Sequence, residues 1–374
     1  MRADHDTKLI EIPRLEWDKE LSMKCSKITR SGYFMNAQNM RIRWFSWDAF
    51  PEQNGEREDV TSKKKTKKKT NKKKEEEEEE EEEAIVVGAH GNGAHSMFEW
   101  LQSSPEGSKR NKYENSWIEK MNRKGFTFYA FDHQGHGRSD FARKTKAYFE
   151  SANDLVSDCA LMMKLVRERH GKKKVFGCGV SMGGFVVARA SIEYPKLFSD
   201  GVILLCPALS LKRLRQHGAN RFLFWLLRFL SIVMPTMEVG ATRKNLKFPF
   251  AQKEMEEDPL CWPSGVRGPR ARIGSELYFG TVKFNRPGYI ERFKHPVIAF
   301  HSTEDPMTDF AGTKEFIERC SSDDKTLVAC SSVFHHDLQH VRGHSDSIGD
   351  RICDWISLQS EKKCFTCRDD DDYD

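Results

Sequence analysis

The sequence has no apolar run long enough to cross a bilayer. Its longest, Phe222 to Pro235 (FLFWLLRFLSIVMP), is too short and carries Arg228 inside it. The opening segment MRADHDTKLIEIPRLEWDKEL has no apolar centre, so no secretory signal is expected in it. Paired cysteines are also scarce. Cys364 and Cys367 form a lone C-x-x-C in a polar tail, with no second pair to complete a zinc site. Most of the ten cysteines lie in apolar stretches such as ILLC before Pro207, which predicts reduced core residues. A strong net charge is missing as well: +5 in 374 residues gives no pointer to nucleic acid. A cytoplasmic chain is expected, with the apolar run as a candidate for peripheral membrane contact.

Apolar residues are few, at 38%, while charged residues reach 31%. One segment explains much of that bias. Between Ser62 and Ala84 the chain reads KKKTKKKTNKKKEEEEEEEEE. Blocks of like charge repel and bury nothing, so residues 51–83 are expected to be a disordered insertion. The glutamates neutralise the lysines at short range, and no aromatic residues interleave to stack bases, which argues against nucleic-acid binding.

Outside that insertion the pattern is regular. MRIRWFSW (40–47) alternates and reads as a strand, and AIVVG (84–88) as a buried one. FTFYAFD (126–132), KVFGCGV (174–180), GVILLC (201–206), PVIAFHS (296–302) and TLVAC (326–330) follow as further strands. Helical stretches alternate with them: Tyr113 to Lys124, a face of Leu155, Cys159, Met162 and Val166, Met182 to Tyr194, Thr313 to Cys320, and a closing helix marked by Ile348, Ile352, Trp355 and Ile356. Continuously apolar strands alternating with helices predict an α/β fold, a mostly parallel central sheet with helices on both faces. The expected division is an N-terminal extension (1–39), first core strands (40–50), the insertion (51–83), core (84–207), an inserted cap (208–290), core again (291–358) and a polar tail (359–374).

The chemistry concentrates at strand ends. Gly179-Val180-Ser181-Met182-Gly183 is a G-x-S-x-G placed between a strand and a helix, the setting of a nucleophile elbow. Small residues let strand and helix approach closely, and the helix N-terminus favours developing negative charge at Ser181. HGNGAHS (90–96) follows the first core strand, and the backbone N–H groups of Asn92 and Met182 are the expected oxyanion donors. A serine needs a base, and the base an orienting acid, in the chain order Ser, acid, His. HSTEDP offers Glu304 and Asp305, with Asp309 a little further on; Asp305 is favoured because a turn begins at Pro306. FHHDLQH offers His335, His336 and His340. His133 and His136, in FDHQGHGRSD (131–140), lack neighbours at metal-ligand spacing, so no metal is expected there. In the cap, Phe224 and Trp225 belong either to a lid helix lining an acyl pocket or to an ordinary buried helix.

These motifs resemble the monoacylglycerol lipase and lysophospholipase branch of the α/β-hydrolases, the serine-aminopeptidase-like group. HGNGAHS resembles its oxyanion loop, FDHQGHGRSD its D-x-x-G-H-G-x-S loop, GVSMGG its elbow, and HSTED the segment that ends in the catalytic aspartate. The resemblance runs from about Met40 to Trp355 and implies an α/β-hydrolase fold with a cap. It implies catalysis by Ser181, Asp305 and His336 through an acyl-enzyme, with no metal or organic cofactor. SWIEKMNRKGFTFYAFDHQGHGRSD is similar to lysophospholipase-like esterases of apicomplexan parasites. Val180, before the serine, and the cap are the departures. The implied substrate is a lipid carboxylic ester. The alternatives are a broad short-chain carboxylesterase able to open ester prodrugs and a catalytically silent binding protein. An aminopeptidase would need an acidic pocket that the sequence does not reveal.

Overall fold

The computed structural model describes residues 7–14, 16, 27–49, 83–101, 112–212, 220–240, 244, 249–263, 266–331, 335, 337–340 and 344–362. The charged insertion, apart from Glu83, and the tail beyond 362 lie outside them.

The strands are β1 (Ile10–Glu11), β2 (Arg30–Met35), β3 (Arg41–Trp47), β4 (Ala84–Ala89), β5 (Phe126–Phe131), β6 (Lys174–Val180), β7 (Val202–Leu205), β8 (Val297–Ser302) and β9 (Lys325–Cys330). Together they form one sheet in the order β1-β2-β3-β5-β4-β6-β7-β8-β9. The pairs β1–β2, β2–β3 and β3–β5 are antiparallel; from β5 to β9 every neighbour is parallel. The sheet thus begins inside the segment expected to be an N-terminal extension. Strands β4 and β5 are buried along their whole length, as a sheet covered on both faces requires.

The helices are α1 (Ser96–Trp100), α2 (Trp117–Asn122), α3 (Ala152–His170), α4 (Met182–Glu193), α5 (Asn220–Val233), α6 (Pro249–Glu257), α7 (Ala271–Phe284), α8 (Phe310–Arg319), α9 (Asp337–His340) and α10 (His344–Glu361). One apolar core joins the sheet to α3, α4 and α7 through residues such as Leu155, Phe185 and Phe284. The other joins the opposite face to α1, α2 and α10 through Trp100, Ile118 and Ile352. Helix starts follow local chemistry: Ser116 caps α2 by accepting from Glu119 N–H, and Asp309 caps α8 by accepting from Ala311 N–H.

Helices α5, α6 and α7 stand where the cap was expected. Phe224 of α5 stacks on Tyr278 of α7 with centroids 3.8 Å apart. Phe284, at the end of α7, meets Phe185 of α4 edge-on, which anchors the cap to the sheet. Among the described residues no helix is long and apolar enough to cross a membrane.

Candidate active site

Parallel strands deliver their following loops to one edge of the sheet. The loops after β4, β5, β6, β8 and β9 carry the chemistry-bearing residues. Ser181 sits between β6 and α4 with φ 53° and ψ −114°, a left-handed conformation that costs a non-glycine residue about 1–3 kcal/mol. Close approach makes that turn possible. A Cβ at Gly179 would lie 2.5 Å from Gly183 O, and one at Gly183 would lie 2.1 Å from Ala89 O. The Ser181 N–H donates to Leu205 O at 2.9 Å, tying the elbow to β7.

Asp305, 1% exposed, follows β8. Its Oδ1 accepts from the N–H groups of Met307 at 2.7 Å and Thr308 at 3.0 Å. Its Oδ2 accepts from the Thr308 hydroxyl at 2.9 Å and from His335 Nδ1 at 2.6 Å. Burial pushes this carboxyl up, but His335 and His301 beside it outweigh that and hold it well below the usual carboxylate range. Donation from Nδ1 to a carboxylate fixes the tautomer of His335 and makes Nε2 its acceptor nitrogen. The other acid candidates are placed differently: Glu304 is exposed, and Asp309 is spent on the cap of α8.

The histidine on Asp305 is therefore His335, while His336, which the resemblance favoured, lies outside the described residues. The Cys206 thiol donates to His335 O at 3.3 Å, which helps hold His335 in place.

Of the expected oxyanion donors, Asn92 lies on the loop after β4 and Met182 is the first residue of α4, next to Ser181. Among the described residues neither backbone N–H is taken by a carbonyl or side-chain acceptor. Behind Asn92 lies a histidine cluster. His90 Nδ1 donates to Gly91 O at 2.8 Å, and its Nε2 accepts from His133 N–H at 2.9 Å. Burial pushes His90 down to about 3 and His136 to about 4, so both rings are neutral in ordinary buffers. They order the loop rather than move protons. Asp132 ties the same loop to its neighbour by accepting from Ser96 N–H and Arg138 N–H, each at 2.8 Å.

The cap residues named from sequence divide. Phe224 packs inside the cap on Tyr278, whereas Trp225 is 72% exposed. Sequence reasoning passed over Glu99, buried behind the oxyanion loop, because a lone glutamate in a short helix carries no pattern.

A family model described as serine aminopeptidase, S33, matches residues 80–340. The chain is 25% identical to the monoglyceride lipase of Rattus norvegicus over 238 residues, 61% of this chain and 72% of that protein. It is 23% identical to the monoacylglycerol lipase of Mycolicibacterium smegmatis over 221 residues, 56% of this chain and 71% of that one. A crystal structure of a soluble variant of the Saccharomyces cerevisiae monoglyceride lipase, in complex with a substrate analog, is similar with a TM-score of 0.63 at 17% identity. That match covers 87% of this chain and 94% of the other. The Paleococcus ferrophilus monoacylglycerol lipase matches with a TM-score of 0.57 at 24% identity, covering 75% and 96%. These likenesses establish the α/β-hydrolase fold.

Proposed function

The chain belongs to the serine aminopeptidase, S33, family, and from that premise we propose a serine hydrolase that cleaves carboxylic esters of lipids through Ser181, His335 and Asp305. The observation that carries this reading is the pair formed by Asp305 and His335 at the same sheet edge as the strained Ser181 elbow. Relatives that are monoglyceride lipases support a lipid ester as the substrate.

The reaction is a two-step acyl transfer. His335 Nε2 takes the Ser181 proton as Oγ attacks the ester carbonyl. Asp305 holds the resulting imidazolium in place. The N–H groups of Asn92 and Met182 meet the oxyanion, each worth about 10²–10³ in rate. The imidazolium then protonates the leaving alcohol, and the acyl-enzyme forms. Water, deprotonated by the same His335, releases the acid and restores Ser181. No step calls for a metal or organic cofactor.

The cap supplies a route to a lipid substrate. Trp225, Phe229 and Ile232 recur along one side of α5 and are 72%, 59% and 63% exposed. That apolar stripe fits peripheral contact with a membrane surface.

Fluorophosphonate labelling and ester hydrolysis test the assignment together. Ser181→Ala should lose both while keeping the wild-type circular dichroism. His335→Ala should lower kcat by on the order of 10⁴–10⁶, and His336→Ala should leave it nearly unchanged. The reverse order for the two histidines would return the base to His336. Full activity in Ser181→Ala would remove the hydrolase reading altogether.

A further inference from the structure

Glu99 lies in α1 and is 1% exposed. Among the described residues its carboxylate has no ion-pair partner. A buried, unpaired carboxylate is expensive to keep, so its surroundings call for an explanation. Its Oε2 accepts from Gly91 N–H at 2.8 Å, and its Oε1 accepts from the Gln339 side-chain amide at 2.8 Å. Both partners are donors, which suits the ionised form.

The two partners belong to opposite halves of the site. Gly91 immediately precedes Asn92, an oxyanion donor in the reading above. Gln339 lies in α9, which follows His335 in the chain. Gly91 itself is pressed between Glu99 and the serine elbow. A Cβ there would stand 3.2 Å from Glu99 Oε2 and 3.4 Å from Ser181 Cβ. Burial pushes the Glu99 carboxyl up and dominates, while the Gly91 N–H, the Gln339 amide, His335 and His95 each oppose that rise.

We propose that Glu99 is a positioning residue that clamps the oxyanion loop to the helix following the base. The proposal rests on the triad reading above. The clamp aims the Asn92 N–H and sets the approach of His335. Its negative charge also favours the imidazolium that forms as Ser181 attacks. Both effects act on the transition state more than on bound substrate, so kcat should respond and KM should not.

Substitutions separate geometry from charge. In Glu99→Gln the new amide can accept from Gly91 N–H through its oxygen and donate through its nitrogen to Gln339 Oε1, once the Gln339 amide turns over. Among the described residues Gln339 Oε1 has no partner, so the turn exchanges the present Gln339–Glu99 bond for a new one and breaks no other. Glu99→Leu removes both contacts.

The experiment measures p-nitrophenyl butyrate hydrolysis against pH, with thermal melts, for wild type, Ser181→Ala, Glu99→Leu, Glu99→Gln and Gln339→Ala. Glu99→Leu should lose about 10²-fold in kcat, the scale of one oxyanion donor, with little change in KM. Glu99→Gln should recover most of kcat, while the acid limb of kcat/KM moves to lower pH because the imidazolium has lost a nearby negative charge. A folded Glu99→Leu with wild-type kcat, or with its loss confined to KM, overturns the proposal. If Glu99→Leu does not fold, an unchanged acid limb in Glu99→Gln together with full kcat in Gln339→Ala overturns it. Failure of the hydrolase reading looks different. Wild type and Ser181→Ala would then be equally active or equally inert, and Glu99 would have no site to position.

Discussion

Asp158 shows how one buried group can set a pH dependence away from the chemistry. It sits on α3, 1% exposed, and its Oδ2 accepts from the side-chain amides of Gln134 at 2.8 Å and Asn36 at 3.2 Å. Burial pushes this carboxyl up to about 7, against the pull of both amide donors. The unfolded chain would titrate at about 4, so the folded state holds the proton more tightly. Its contribution to stability is therefore complete below about pH 4 and is lost as pH rises through about 7. An asparagine in its place could accept the same two amide donors without ever charging. Asp158→Asn should match wild type in denaturant melts at about pH 4 and exceed it at about pH 8 by on the order of 1–3 kcal/mol. A stability gap that stays constant across that range would refute the argument.

At the scale of elements, the cap helix α5 stands out because its two sides do different work. Phe224 faces inward to Tyr278, and the Arg228 guanidinium lies over the Phe279 ring at 5.3 Å. Trp225, Phe229 and Ile232 face outward, where solvent exposure of so much apolar surface is unfavourable. Burying a large apolar side chain is worth about 1.5–3 kcal/mol. Replacing Trp225 and Phe229 with serine should therefore lower partitioning onto phosphatidylcholine vesicles by about 10²–10⁴-fold. Activity on long-chain esters should fall with it, while activity on p-nitrophenyl butyrate should persist. An equal loss on the short ester would mean that the stripe supports the fold instead of docking on lipid. Elements also differed in how readily they were read. The apolar strands β4 to β8 announce themselves by composition. Strands β1 and β2 do not, because one has two residues and the other carries Gly32. That glycine is needed, since a Cβ there would meet Ile10 O at 1.8 Å. Pairing, and not local preference, makes these two segments strands.

For the molecule as a whole, the sheet order makes a long insertion between β3 and β4 tolerable. Trp47 pairs with Phe128 and Ala84 with Phe126, so the end of β3 and the start of β4 flank β5 at the same edge. With strands about 4.8 Å apart, the connection has only about 10 Å to bridge. Shortening residues 50–82 about fourfold should raise stability by about 1 kcal/mol through loop entropy and leave kcat unchanged. Chemical denaturation and ester assays on the shortened chain check both. A loss of activity would tie the charged segment to the site.

The fold class, the elbow around Ser181 and the loops at the sheet edge were legible in the chain, because each depends on local signals. Buried parallel strands are continuously apolar, an elbow needs small neighbours around its serine, and a carboxylate before a proline sits in a turn. Three-dimensional packing was needed to bring His335 onto Asp305, to leave Glu304 in solvent and to turn Trp225 outward. It also brought Glu99 to Gly91 and Gln339, the latter far away in the chain. These outcomes rest on which side chain a loop turns inward and which distant backbone it then meets. Nearest-neighbour preferences do not encode that, because the sheet and its helices set it together.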